Sequence, residues 1–241
     1  MAKAKESSAK ARPRKNAGSL SLVAHDAPVE LQKARAYELI LIDIILGELA
    51  PGSQLDEKAL AIRYNSGLAG IRDALSRLSL EGLVDRRPRA GTFVSPLDVV
   101  ELQHDYEARR IIEPECAALA ARYGSTEDIQ AIKDAFKGGE AAAKACDCRA
   151  LIRMDQRFHA AIARASNNSS LARILIPLQH KAARFWVFSM GQASLKERIA
   201  DVRAHVAIGA CIADRDPEGA YRAMLAAVGE PPATARPARR A

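Results

Sequence analysis

Aromatic residues are scarce in this chain. They make up 5% of 241 residues, with a single tryptophan. Set against abundant alanine and leucine, that scarcity argues against a sheet-dominated fold and favours helices. Cysteine is scarce too. Of Cys116, Cys146, Cys148 and Cys211, only Cys146 and Cys148 lie close together. Their Cys-x-Cys spacing suits neither a zinc knuckle nor the usual redox pair. The cysteines are expected as small packed hydrophobes, in a chain kept reduced. No apolar run approaches the roughly 18 residues of a membrane span. The basic residues near the start are not followed by an apolar stretch of the secretory kind. A cytoplasmic protein with no membrane partner is the expectation.

What is present is a core-forming and strongly charged composition. Apolar residues reach 49% and charged residues 27%, enough to bury a core and stay in solution. The length allows one large or two modest domains. The net charge of +7 is compatible with nucleic acid, although much of it sits at the two ends. Residues 1–28, rich in Lys, Arg, Ser and Ala, read as a disordered basic tail. Residues 230–241, rich in Pro and Arg, read as a loose C-terminal tail.

Between the tails lie two patterns. In residues 29–96, Tyr37, Ile40, Leu41 and Ile44 recur at helical spacing. Pro51-Gly52 turns the chain, and Asp56 is placed to cap a second helix that runs to about Tyr64. Asn65-Ser66-Gly67 leads into a third helix ending near Leu80, with Gly82 at its C-terminal cap. Short strands over Leu83–Arg87 and Thr92–Ser95 flank a tip at 88–91. This is the layout of a winged helix-turn-helix, a shape that puts one helix in a DNA groove. Residues 97–229 read as an all-α antiparallel bundle of about six helices. Its predicted breaks fall at Gly124-Ser125, Gly138-Gly139, Asn167-Asn168, Gly191 and Asp216-Pro217.

Two sets of side chains carry chemistry. Lys58 and Arg63 lie on the second helix, Arg72 on the exposed face of the third, and Arg89 at the wing tip, where Gly91 permits close backbone approach. Each charge alone reads as a solvated surface group. Together on this layout they point to double-stranded DNA, with Arg able to grip guanine and a wing Arg suited to the narrow minor groove. In the second part, Asp155 and His159 stand four apart and share a helix face. As a pair they read as an Asp beside a core His. His205 could add a third ligand, and two imidazoles with a carboxylate suit zinc, nickel, manganese or iron with positions left open.

Residues 33–95 resemble the DNA-binding domain of the GntR family of bacterial transcription regulators. The resemblance rests on Gly47-x-Leu49-x-Pro51-Gly52-x-x-Leu55, Glu57-x-x-Leu60-Ala61, Ile71-Arg72-Asp73-Ala74-Leu75-x-x-Leu78, Glu81-Gly82-Leu83-Val84 and Gly91-Thr92-Phe93-Val94. It implies a homodimer on two-fold related half-sites. The family usually opens its recognition helix with Ser-Arg-Thr-Pro, where this chain has Gly67-Leu68-Ala69-Gly70. Leu68 and Ala69 therefore occupy the DNA-facing positions. Loss of that Arg removes a contact worth roughly 1–3 kcal/mol of discrimination, so an unusual or relaxed operator preference is expected.

Residues 106–228 resemble the FCD ligand-binding domain of the FadR subfamily. The matching pieces are Glu107-Ala108-Arg109-Arg110-x-x-Glu113-Pro114, Asp155-x-x-Phe158-His159, Ser166-x-Asn168-x-x-Leu171 and His205-x-x-Ile208. The resemblance implies one divalent metal held by an Asp and three His, and a small carboxylate effector. It places the first three ligands on Asp155, His159 and His205, and puts Arg109 and Asn168 on the cavity wall. The fourth ligand falls at Ala227, which cannot ligate, so metal affinity should drop. Ala204 stands where an acidic residue is usual, and His180 could compensate only if its helix faces the cavity. The expected function is a DNA-binding transcription regulator, a repressor, under control of an organic acid. The alternatives are a degenerate regulator that senses a ligand but binds DNA weakly, and a metal-dependent enzyme. Against the enzyme, the sequence shows no nucleophile–base pair and no cofactor loop.

Overall fold

The computed structural model describes residues 29–229. Both tails read from the sequence, 1–28 and 230–241, lie outside the described residues. The first part holds α1 (Val29–Ile45), α2 (Glu57–Arg63), α3 (Leu68–Leu80), β1 (Val84–Arg87) and β2 (Gly91–Val94). Asp56 caps α2 by accepting from the Ala59 amide at 2.7 Å. Helix α3 starts at Gly67 with no side-chain cap. It stops at Glu81, followed by Gly82 at φ +77, the left-handed position that favours glycine after a helix. The strands pair antiparallel, from Val84 opposite Val94 to Arg87 opposite Gly91.

The wing is seated rather than free. The Leu55 amide donates to the Thr92 carbonyl at 2.7 Å, and the Val94 amide to the Ser53 carbonyl at 2.9 Å. Ile40, Ile44, Ile71, Leu75, Leu78, Leu83 and Val94 close the core beneath it.

The second part is helical throughout: α4 (Val99–Tyr123), α5 (Thr126–Ala135), α6 (Gly139–Ala145), α7 (Cys148–Ala165), α8 (Ser169–Gln192), α9 (Leu195–Ala213) and α10 (Pro217–Val228). That is seven helices among the described residues, not six. The unforeseen break falls at Cys146, which has φ 54. Nothing in residue type signals a helix end there, because Cys is neither Gly, Pro nor Asn. Caps explain most of the other starts: Asp98, Ser125, Asn168, Ser194 and Asp216 each accept from amides of the following helix. Phe158, Leu102, Leu151, Ile132, Ile208 and Met224 fill the bundle core.

The two cores meet. Ile152 of α7 and Ala183 of α8 are buried among the residues of the first part. Polar contacts bracket this apolar seam. The buried Asp43 carboxylate of α1 accepts from Tyr64 Oη at 2.6 Å, Arg63 at 2.5 Å and Arg149 of α7 at 3.1 Å. Arg149 also bonds Glu48. On the other side, Glu81 accepts from Tyr37 Oη at 2.8 Å and lies 2.8 Å from His180 Nδ1 of α8. Arg184 donates to the Ser95 carbonyl at 2.6 Å.

Removing the Asp43 carboxylate strands three donors at the seam. Asp43→Ala should lower unfolding stability by about 1–3 kcal/mol, read in urea titration. Arg149→Ala should cost less, because its guanidinium is partly exposed and water replaces the lost partner.

Candidate functional site

Helix α7 carries Asp155 and His159 one turn apart on its inward face, and α9 brings His205 to them. All three are buried. His159 Nε2 lies 3.4 Å from Asp155 Oδ1, and His205 Nε2 lies 3.5 Å from the same oxygen. Two donors that each sit about 2.0–2.1 Å from a tetrahedral ion are separated by about 3.3–3.4 Å. Both imidazole–carboxylate separations therefore match the spacing that a small divalent ion demands, and all three donor atoms lie within 4.8 Å of one another. The His205 tautomer agrees. His205 Nδ1 donates to the Asp201 carbonyl at 2.8 Å, which leaves Nε2 its lone pair for a metal. Phe136 stacks on the His205 ring at 4.5 Å, and Phe158 meets it edge-on, so the imidazole is held in place.

Buried charged groups of α4 stand behind the ligands. Glu113 of α4 is wholly buried, with Oε2 3.4 Å from His159 Nδ1. Both atoms lack a hydrogen-bond partner among the described residues. The other Glu113 oxygen takes Arg109 Nε at 2.5 Å. Arg109, expected on the cavity wall, thus has its charge balanced by Glu113 and its guanidinium 5.1 Å over the Tyr106 ring. Glu113 and Asp201 were not singled out as site residues from the sequence. Glu113 sits inside the quoted Arg-rich motif, which was the available signal. Asp201 stands one turn before His205 and meets that ring with both its backbone carbonyl and its carboxylate.

The electrostatics show what the site wants. Burial opposes ionising Asp155, but the charges and hydrogen bonds of His159 and His205 win and hold its carboxyl well below the usual range. Burial likewise opposes charging His205, but Asp155 and Asp201 raise it to about 9.

Placement bears on three further residues, and it changes the expectation for one of them, Asn168. Ala227 is exposed on α10, which turns Ala220, Met224 and Val228 inward instead, and among the described residues no fourth ligand joins the group. Asn168 is exposed and spends its Oδ1 on the Ser170 and Leu171 amides as the cap of α8, so it is not on a cavity wall. His180 faces Glu81 and Tyr37 at the seam, not the metal-ligand group.

At the other end, Lys58, Leu68, Ala69, Arg72 and Arg89 are all exposed. Arg72 carries a surface ion pair to Glu57 at 2.7 Å, which phosphate can displace at little cost. Arg89 has φ 63 and Gly91 φ 117. A Cβ on Gly91 would meet the movable end of the Gln54 side chain, so it is the left-handed φ that favours glycine at that tip. Arg63 differs from the expectation. Its guanidinium is committed to Asp43 and Glu48, as a brace inside the first part. Arg86, not singled out beforehand, bonds the Arg72 carbonyl at 3.2 Å and ties the wing to α3. Gly70 is buried, and a Cβ there would meet Ser66 Oγ at 2.9 Å. The helix start is thus packed around a glycine.

Comparison with known proteins agrees with this architecture. The FCD domain matches residues 105–229, and the gntR family of bacterial regulatory proteins matches residues 32–94. The chain belongs to the GntR family, with an FCD domain. It is 28% identical over 166 residues to the HTH-type transcriptional regulator LutR of Bacillus subtilis, covering 59% of this chain and 75% of LutR. It is 22% identical over 197 residues to the HTH-type transcriptional repressor RspR of Escherichia coli, covering 82% of this chain and 86% of RspR. In fold it is similar to E. coli McbR/YncC, with a TM-score of 0.70 at 19% identity, over 82% of this chain and 93% of that one. As a GntR regulator with an FCD domain, the chain is a transcriptional regulator and not an enzyme. No described helix is long and apolar enough to cross a membrane.

The raised His205 pKa has a sign. Its protonated form is stabilised by folding, so in metal-free protein that contribution is complete below about 6.5 and is lost as pH rises through about 9. Wild-type melting temperature should fall across that window relative to His205→Gln. Equal slopes for the two proteins would contradict the assignment. Added zinc should remove the difference by displacing the proton.

Proposed function

We propose that this regulator is a homodimeric repressor whose grip on DNA is set by a small carboxylate bound at a metal on Asp155, His159 and His205. The observation that supports it is the cluster of three donors, with no fourth protein ligand among the described residues. A divalent ion there would supply a positive centre with coordination positions open to an anionic oxygen. Asp155 cancels one of its charges and the two neutral imidazoles none, so the site would keep a net attraction for an anion. Arg109 is balanced by Glu113 and adds no net charge. It orients Glu113, which in turn lies against His159.

In this reading residues 29–96 bind DNA and 97–229 sense and dimerise. Lys58, Arg72 and Arg89 meet phosphates or bases, with Leu68 and Ala69 as apolar neighbours at the start of α3 and Gly91 allowing the wing to approach. Coupling follows from differential affinity. An effector that prefers one arrangement of the bundle shifts the two wings of the dimer toward it, and one that binds both equally does nothing. The cytoplasm, where the chromosome lies, is the place for it.

Fluorescence anisotropy on duplexes from the protein's own upstream region tests the DNA half. Wild type should bind with steep salt dependence. Arg72→Ala and Arg89→Ala should each reduce the log–log salt slope by about 1. Arg63→Ala should instead lower the melting temperature. Salt-independent or absent binding would sink the reading.

Elemental analysis tests the other half. Protein equilibrated with zinc or nickel and then dialysed should retain one ion per chain, and Asp155→Ala should retain none. Small organic acids should raise the melting temperature of the loaded wild type and leave that of Asp155→Ala unmoved. Acids that shift both equally would exclude the metal as their anchor.

A further inference from the structure

The break that divides α6 from α7 is built from Cys146-Asp147-Cys148, and its backbone is unusual. Cys146 sits in the left-handed region at φ 54, ψ 35, where residues other than Gly, Asn and Asp are uncommon. Asp147 follows at φ −81, ψ 81, close to an inverse γ-turn. The Cys148 amide donates back to the Cys146 carbonyl at 3.0 Å. This closure from i to i+2 curls the two cysteines onto each other. The Asp147 carboxylate faces elsewhere, accepting from the Ala150 amide at 2.9 Å as the cap of α7. With one residue between them and that backbone bond closing the turn, the two cysteines are held in one tight loop; the Cys148 thiol is pushed up first by its own burial and then by Cys146.

Packing does not account for this arrangement. Cys146 is exposed and Cys148 half-buried, and neither is in a disulfide, against the expectation that the cysteines pack as small hydrophobes. An exposed cysteine in a left-handed conformation buries little and strains its backbone. The remaining cysteines are placed differently. Cys116 is fully buried, and Cys211 packs near Gly219.

We propose that Cys146 and Cys148 form a preformed dithiol clip that captures trivalent arsenicals. The reaction balances without an oxidant. An arsenoso group, R–As=O, exchanges its bond to oxygen for two As–S bonds. The oxygen leaves as water with both thiol protons, and arsenic stays trivalent. Neutral thiols suffice, so a thiol pushed up by burial is no obstacle. The advantage over a single cysteine is chelation: once one sulfur is bonded, the turn holds the second at high effective concentration. Soft sulfur donors are the ligands that a soft centre selects.

The place of the clip gives it reach. The next residue, Arg149, bonds Asp43 and Glu48 of the first part. Ile152, one turn on, is buried in that part's core. A group bridging the two sulfurs rests on the first turn of the helix that joins the two halves.

The test uses the full chain and phenylarsine oxide. Intact mass should show one phenylarsenic group per chain, gained with loss of one water, and the count of titratable thiols should fall by two. Dithiothreitol should strip the adduct, whereas excess mercaptoethanol should not. Cys146→Ser and Cys148→Ser should each weaken retention against mercaptoethanol by about a hundredfold, and Cys211→Ser should retain the adduct like the parent. Loss of only one thiol per arsenic, undiminished retention by Cys146→Ser, or abolition by Cys211→Ser would each overturn the proposal. If a serine variant melts early, the thiol count on wild-type protein decides alone.

Discussion

Helix α7 is a single rigid rod shared by two cores, and that sharing constrains everything else. Along one helix, Arg149 reaches the buried Asp43, Ile152 enters the core of the winged helix, and Asp155 and His159 face the bundle interior. A helix advances about 1.5 Å per residue, so the seam and the three-donor site lie within about two to three turns of one another. Because close-packed cores resist small displacements, a ligand that moves α7 cannot do so without being felt at the seam.

The seam itself divides the labour by chemistry. Its apolar part, Ile152 and Ala183 among the α1 and α3 residues, supplies non-directional adhesion. Its polar part supplies register. Asp43, Glu81 and the Ser95 carbonyl each receive a group from α7 or α8. Breaking one of these contacts leaves a buried or half-buried donor unpaired, which makes the relative position of the two parts specific. Glu81 ends α3, the helix expected in the groove. The point that the bundle holds is therefore the stem of that helix.

Much of this was legible in the chain. The turn residues Pro51-Gly52, the Asp56 cap and the Gly82 stop placed α2, α3 and the wing to within a residue or two, because caps and left-handed glycines act locally. Asp155, His159 and His205 were identified as candidate ligands, the first two by helical spacing, and the structure brings all three together. The α6–α7 break was not legible, since a cysteine can adopt a left-handed conformation only when its surroundings hold it there. Arg63 and Asn168 looked like ligand contacts because a free cation and a free amide look the same in sequence whether or not a partner waits across the fold.

By itself, then, the sequence determined the local elements and the kinds of donor available: helical period, caps, a basic wing, one carboxylate and two imidazoles in the right chemical class. Only tertiary structure decided which of those groups were already spent. Arg63 went to Asp43, Arg109 to Glu113 and His180 to Glu81. Asp155, His159 and His205 were left facing one another. Pairing is a property of distance, and residues 20, 50 or 99 positions apart come within hydrogen-bonding or ion-pairing range only when the packed cores bring their helices together.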